Sequence, residues 1–162
     1  ISKAQVSPKF NVLYNPNPQI QLFFKSGIGF HSNDSRVVVA QEGQEILPSA
    51  YGTDLGFIWK PTKDIWINTA LWYLLLDQEF VYVGDAGIVE PSGSTRRMGI
   101  DLGVRYQLTD ELYFDSDFNY TYARSIDEEA GENYIPLAPD MTITGGLSFQ
   151  KEKFNYRRRN HK

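Results

Sequence analysis

The chain has no cysteine, so it can build no disulfide framework and no thiolate nucleophile. Histidine is almost as scarce. His31 and His161 are the only two, too few for a multi-histidine metal site without carboxylate help. No stretch approaches the roughly 18 consecutive apolar residues that a transmembrane helix needs. The first residues lack the basic-then-apolar plan of a signal peptide. An excess of positive charge is missing too: 16 Lys and Arg stand against 20 Asp and Glu, a formal net charge of -4. A phosphate-tracking protein needs a basic surface, so no nucleic-acid partner is expected.

What the chain does have is aromatics and glycine, with ten Tyr, ten Phe and 13 Gly among 162 residues, a mixture that suits strands better than helices. The length accommodates one ordinary domain and demands no second. Period-two patterning recurs along the chain. From 97 to 107, Arg97, Gly99, Asp101, Gly103, Arg105 and Gln107 fall on one face, and Met98, Ile100, Leu102, Val104 and Tyr106 on the other. After a tight "LTD" connection, Tyr113, Asp115, Asp117, Asn119 and Thr121 alternate with Leu112, Phe114, Phe118, Tyr120 and Tyr122, and only Ser116 breaks the apolar series. Upstream, Leu55, Phe57 and Trp59 alternate with Asp54, Gly56 and Lys60.

The pattern predicts seven antiparallel strands, at about 4–14, 19–31, 49–60, 65–77, 96–107, 111–124 and 140–150. The fourth, "IWINTALWYLLLD", is apolar on both faces and would also suit a buried helix; its β-branched and aromatic start favours a strand. These strands are longer than the usual 5 or 6 residues and match the roughly 9 to 11 that cross a bilayer at a tilt. The connections alternate as well. "NPNP", "PTKD", "LTD" and "KEKF" are short; "SNDSRVVVAQEGQEILP", "QEFVYVGDAGIVEPSGST" and "SIDEEAGENYIPLAP" are long. Short turns at one end and long loops at the other describe a bacterial outer-membrane barrel. Aromatics near the turn ends, Tyr14, Trp59, Trp66, Tyr106 and Phe149, would form its interfacial girdle. The expected fold is therefore all-β: antiparallel up-and-down strands, a partial segment of a large transmembrane β-barrel, with lipid on the apolar face. Two alternatives stay open, a small self-contained membrane barrel and a soluble lipocalin-like carrier with its apolar face inward.

Several motifs in sequence order carry a resemblance to a known family. These are "SPKFNVLYNP", "KSGIGFHSND", "YVGDAGIVEPSGSTRRMGIDLGVRYQLTDELYFDSDFNYTYAR" and "IPLAPDMTITGGLSF". Over about residues 4 to 150 the chain resembles the C-terminal part of the barrel of TonB-dependent outer-membrane receptors. The resemblance implies a barrel of twenty-two strands around an N-terminal plug, importing a scarce ligand such as a ferric siderophore, metal chelate, cobalamin or glycan. It also implies TonB as the partner, acting through a contact segment, the TonB box, on a plug that this chain does not contain. Residues 1–150 then read as a barrel segment of a larger receptor, and 151–162, "KEKFNYRRRNHK", as a truncated or expression-derived tail.

Asp54, Arg97, Asp101, Arg105, Asp115 and Asp117 are the candidate lumen-facing residues. A three-residue turn would set Asp101 across from Asp117, a like-charge pair that is unfavourable unless a cation or ligand passes there. The plainer reading is a water-lined wall whose acids pair with Arg97, Arg105 or plug arginines. Paired carboxylates also raise glycosidase chemistry, but acids are common on any wet wall, and no enzyme, catalytic residue, metal site or cofactor is expected. His31 and Asp34 are candidates at the outer mouth, where His31, Asn33 and Asp34 suit either a metal chelate or a strand-end cap. The "DEEAGE" run could attract cations or lie solvated, and "GDAG" completes no phosphate-loop fingerprint. A charge at Leu102 or Val104 is expected to destabilise the barrel, and Gly103→Ser, on the opposite face, to be nearly silent.

Overall fold

The computed structural model describes residues 6–30, 47–83, 88–91, 93–129, 131–135 and 139–151. Seven strands form one antiparallel sheet: β1 (Lys9–Asn17), β2 (Ile20–Phe30), β3 (Ser49–Trp59), β4 (Ile65–Leu76), β7 (Thr95–Gln107), β8 (Leu112–Ser125) and β9 (Met141–Phe149). Their spatial order is their chain order, a meander that does not close on itself. Alternation needs a sheet with two distinct sides, and β4, the ambiguous segment, is a strand paired along its length with β3 and β7. Every residue of the edge strands β1 and β9 is exposed.

The long β4–β7 connection is not wholly irregular. It holds a separate hairpin of β5 (Phe80–Val83) and β6 (Ile88–Pro91), built from "FVYV" and "IVEP", two short runs with β-branched residues. The expected first strand also shifts. Residues 6–8 are not in a strand, and β1 runs on through Pro16. Proline is tolerated there because it lies in a bulge between Tyr14 and Asn17 on an edge strand, where no ladder amide is needed. The turn is then only two residues long, and the Asn17 carboxamide oxygen accepts from the amides of Gln19 (2.9 Å) and Ile20 (3.0 Å).

The β7–β8 turn changes the register. The Thr109 hydroxyl accepts from the amides of Glu111 (3.3 Å) and Leu112 (3.1 Å), and Leu108 N donates to the Leu112 carbonyl (2.9 Å). Five residues, 108–112, lie between the paired Gln107 and Tyr113, two more than "LTD" alone. Pairing slips by two, so the faces are preserved, but Asp101 lies opposite Asn119, Asp117 opposite Gly103, and Asp115 opposite Arg105. The expected Asp101–Asp117 apposition does not form, and no like-charged pair results there.

One face carries Phe24, Leu55, Leu71, Met98, Ile100, Leu102, Phe118 and Ile143; Leu55 (57%), Leu71 (58%) and Ile143 (63%) are openly exposed. Aromatics form two bands on it. Tyr14, Trp59, Tyr106, Phe114 and Phe149 lie toward the turns, and Tyr51, Tyr73, Tyr120 and Tyr122 toward the loops. Two bands flanking an apolar belt are what the two edges of a bilayer select. Trp66 is not among them. It stands opposite Arg105 on the other face, with the Lys60 ammonium 4.9 Å from its ring centre.

Candidate functional site

The polar face follows from the same alternation. From β7 it receives Arg97, Asp101 and Arg105, from β8 Asp115, Asp117 and Asn119, and from β3 Asp54, so all six lumen-facing candidates share one side of the sheet. Five of the six fall into three groups. At the turn end Arg105 is a clamp: Nη2 donates to both oxygens of Asp117 (2.9 Å each), Nε lies 3.2 Å from Asp115 Oδ1, and Nη1 donates to the carbonyls of Val104 and Ser116 (3.0 Å each). One planar fork thus neutralises two acids of the neighbouring strand, a geometry that lysine cannot reproduce. These side chains are 42–55% exposed, so each ion pair contributes about 1 kcal/mol or less.

In mid-strand Asp101 accepts from Trp72 Nε1 (3.2 Å) and from Asn119 Nδ2, while Asn119 Oδ1 in turn accepts from the Thr121 hydroxyl (2.9 Å). Trp72 can lie flat across β7 because Gly99 is opposite it; a Cβ there would sit 2.6 Å from the indole. At the loop end Arg97 pairs with Glu79, which also accepts from the Thr95 hydroxyl (2.8 Å). Asp54 stands apart on β3, in register with Lys25, in a groove of about 320 Å³ that also touches Lys9 and Asn11.

Pattern reading did not single out Trp72, Asn119 or Glu79. Trp72 was hidden by the apolar look of β4, and Asn119 was visible only as one more polar alternation. Glu79 comes from a connecting segment that has no periodicity at all. His31 and Asp34 lie outside the described residues. Among the described residues no group of three or more Asp, Glu or His side chains is placed to hold a metal ion.

The apolar face treats its hydroxyls differently. Thr53 donates to the Lys25 carbonyl (3.0 Å), Thr69 to that of Asp101 (2.8 Å), and Ser116 to that of Thr144 (3.2 Å). Each turns its donor back into the neighbouring strand. In hydrocarbon an unmade hydrogen bond costs several kcal/mol, so this is how a lipid-facing hydroxyl is accommodated.

An open antiparallel meander with an exposed apolar belt, two aromatic bands and a hydrogen-bonded polar side is consistent with part of a larger β-barrel. The family comparison agrees. Residues 2–160 match the family described as "TonB dependent receptor-like, beta-barrel", and the chain belongs to that family. That description is of a receptor-like barrel. No curated protein matches the chain.

Three solved structures share the fold. The ferric-catecholate import receptor Fiu from Escherichia coli K12 aligns with a TM-score of 0.66 at 15% identity, covering 90% of this chain and 22% of that one. The FrpB iron transporter from Neisseria meningitidis aligns with 0.64 at 14%, covering 92% and 25%. The siderophore receptor PiuA from Acinetobacter baumannii aligns with 0.62 at 12%, covering 87% and 23%. The chain therefore spans about a quarter of the length of each.

Proposed function

We propose that this sheet is part of the wall of a TonB-dependent import receptor, with residues 1–150 as barrel segment and 151–162 as a tail. The observation that carries the proposal is the opposition of the two faces. One is apolar and exposed; the other presents fixed carboxylates and guanidinium groups to a wet interior. Among the described residues Ala123 and Pro48 are the buried apolar side chains, which disfavours a soluble carrier packed around an apolar core.

The receptor takes up a scarce ligand, captured by the loops at one end and passed along the polar face when a plug rearranges under force from TonB. A ferric siderophore is the first choice because three proteins of this fold are named for iron or siderophore import. Another metal chelate, cobalamin and a glycan are the other members of the class. On this reading Asp101, Asp115 and Asp117 are wall residues held by Trp72, Asn119 and Arg105 and not a bound-cation site, and no catalysis is involved. The test is uptake of radiolabelled ferric catecholate by cells with and without the intact gene, in TonB-plus and TonB-minus backgrounds. Uptake that needs both gene and TonB is expected. Gene-dependent uptake that persists without TonB contradicts the proposal.

A further inference from the structure

The apolar face ends, on the loop side, in two arginines. Arg96 has the parity of Met98 and Ile100, and Arg124 that of Tyr120 and Tyr122, so both leave the sheet on the lipid-facing side. They are register partners, directly opposite each other across β7 and β8. Like charges so placed repel. Among the described residues no carboxylate pairs with either one, although Glu79 and Asp117 pair with arginines on the other face.

The two are held differently. The Arg124 guanidinium lies between two rings, 4.2 Å from the Tyr122 centre and 4.1 Å from the Tyr134 centre, and one N–H donates to the Ala123 carbonyl (2.6 Å). Stacking fixes its plane and leaves further donors at its edge. Arg96 is exposed and has no partner among the described residues. Immediately toward mid-membrane lies an open groove of about 670 Å³, lined on this face by Leu55, Leu71, Tyr73, Met98, Ile100 and Tyr122. Its volume is within the roughly 300 to 1,000 Å³ of small-molecule sites.

We propose that this is a specific site for a phosphorylated acyl lipid of the loop-side leaflet, its phosphate bridging Arg96 and Arg124 and an acyl chain in the groove. A phosphate accepts from both guanidinium forks and removes their repulsion. The apolar groove continues from that point in the direction a lipid tail must take. Basic clusters at a membrane surface attract anionic headgroups in general; here the pairing of a fixed arginine, a free one and an adjoining groove makes one lipid preferred. The proposal rests on the membrane placement of the sheet and is independent of which ligand the receptor imports.

The test is lipid binding by the intact protein in neutral detergent, probed with phosphatidic acid, with phosphatidylcholine of the same chains, and with inorganic phosphate as competitor. The proteins are wild type, Arg96→Gln, the double variant Arg96→Gln/Arg124→Gln, and Lys63→Ala as a charge control at the turn end. Circular dichroism checks folding. Arg96→Gln removes no internal contact among the described residues and keeps the test decisive if the double variant misfolds. Phosphatidic acid is expected to bind about tenfold more weakly to Arg96→Gln and weaker still to the double variant. Lys63→Ala should match wild type, and inorganic phosphate alone should not displace the lipid. Equal phosphatidic acid binding by wild type and Arg96→Gln, equal binding of the two lipids, or displacement by millimolar phosphate would overturn the proposal.

Discussion

On the polar face Asp101 and Asp117 are held by other side chains, Trp72, Asn119 and Arg105, whereas on the apolar face Thr53, Thr69 and Ser116 send their hydroxyls back to backbone carbonyls. The difference follows from what lies beyond each face. Where water is present, polar groups can extend, meet and form networks that solvent completes. Where lipid is present, a donor has only the sheet itself to bond to. A second contrast follows. Large side chains on the polar face cross over glycines, as Trp72 does over Gly99, while those of the apolar belt stand outward and remain exposed.

Substitutions that break the contrast should rank by how far they violate it. The largest effect is expected from Leu102→Arg, which places a charge in the apolar belt and should cost about 2 to 4 kcal/mol at mid-membrane. Denaturant unfolding of the intact protein from bilayers reads it. Gly99→Leu comes next: its Cβ would meet the Trp72 ring at 2.6 Å, and overpacking of this kind costs about 1 to 3 kcal/mol in the same assay.

Gly103→Ser does not keep the near-silence that its face alone implies. A Cβ there collides with the Asn68 carboxamide and sits 3.1 Å from Asp117 Oδ1 in the Arg105 clamp, so a loss of about 1 kcal/mol is expected. Arg105→Ala should cost about 1 kcal/mol or less, because the pairs are half-exposed. Adding Asp117→Asn to that variant should cost less than Asp117→Asn does alone, and a double-mutant cycle measures the difference. Gly146→Ser, with no atom within 4 Å of its Cβ, should leave stability unchanged within about 0.5 kcal/mol.

Sequence periodicity was enough to locate the seven sheet strands and to divide the faces of β3, β7 and β8, where apolar and polar side chains alternate. It was weaker wherever a turn or loop decided the outcome. Thr109 captured the amides of Glu111 and Leu112, the pairing of β8 shifted by two residues and set Arg105 against Asp115, and no alternation contains that information. Pro16 read as a turn residue until an edge bulge admitted it to β1. Trp66 read as a girdle residue because turn-end position was visible and its parity, on a strand apolar to both sides, was not informative. Glu79 could not be found at all. Its partnership with Arg97 joins a non-repeating segment to a strand, and only the folded chain brings them together.

The central claim, that one side of β7 faces lipid and the other a water-filled lumen, can be measured residue by residue. The chain contains no cysteine, so single cysteines from Met98 to Arg105 introduce no competing thiol from this segment. Spin labels on them, in the intact protein in bilayers, report collision with apolar oxygen and with a water-soluble nickel complex. The account predicts a period of two: oxygen access high at 98, 100, 102 and 104, nickel access high at 99, 101, 103 and 105. The opposite phase, or access without a period, would contradict it.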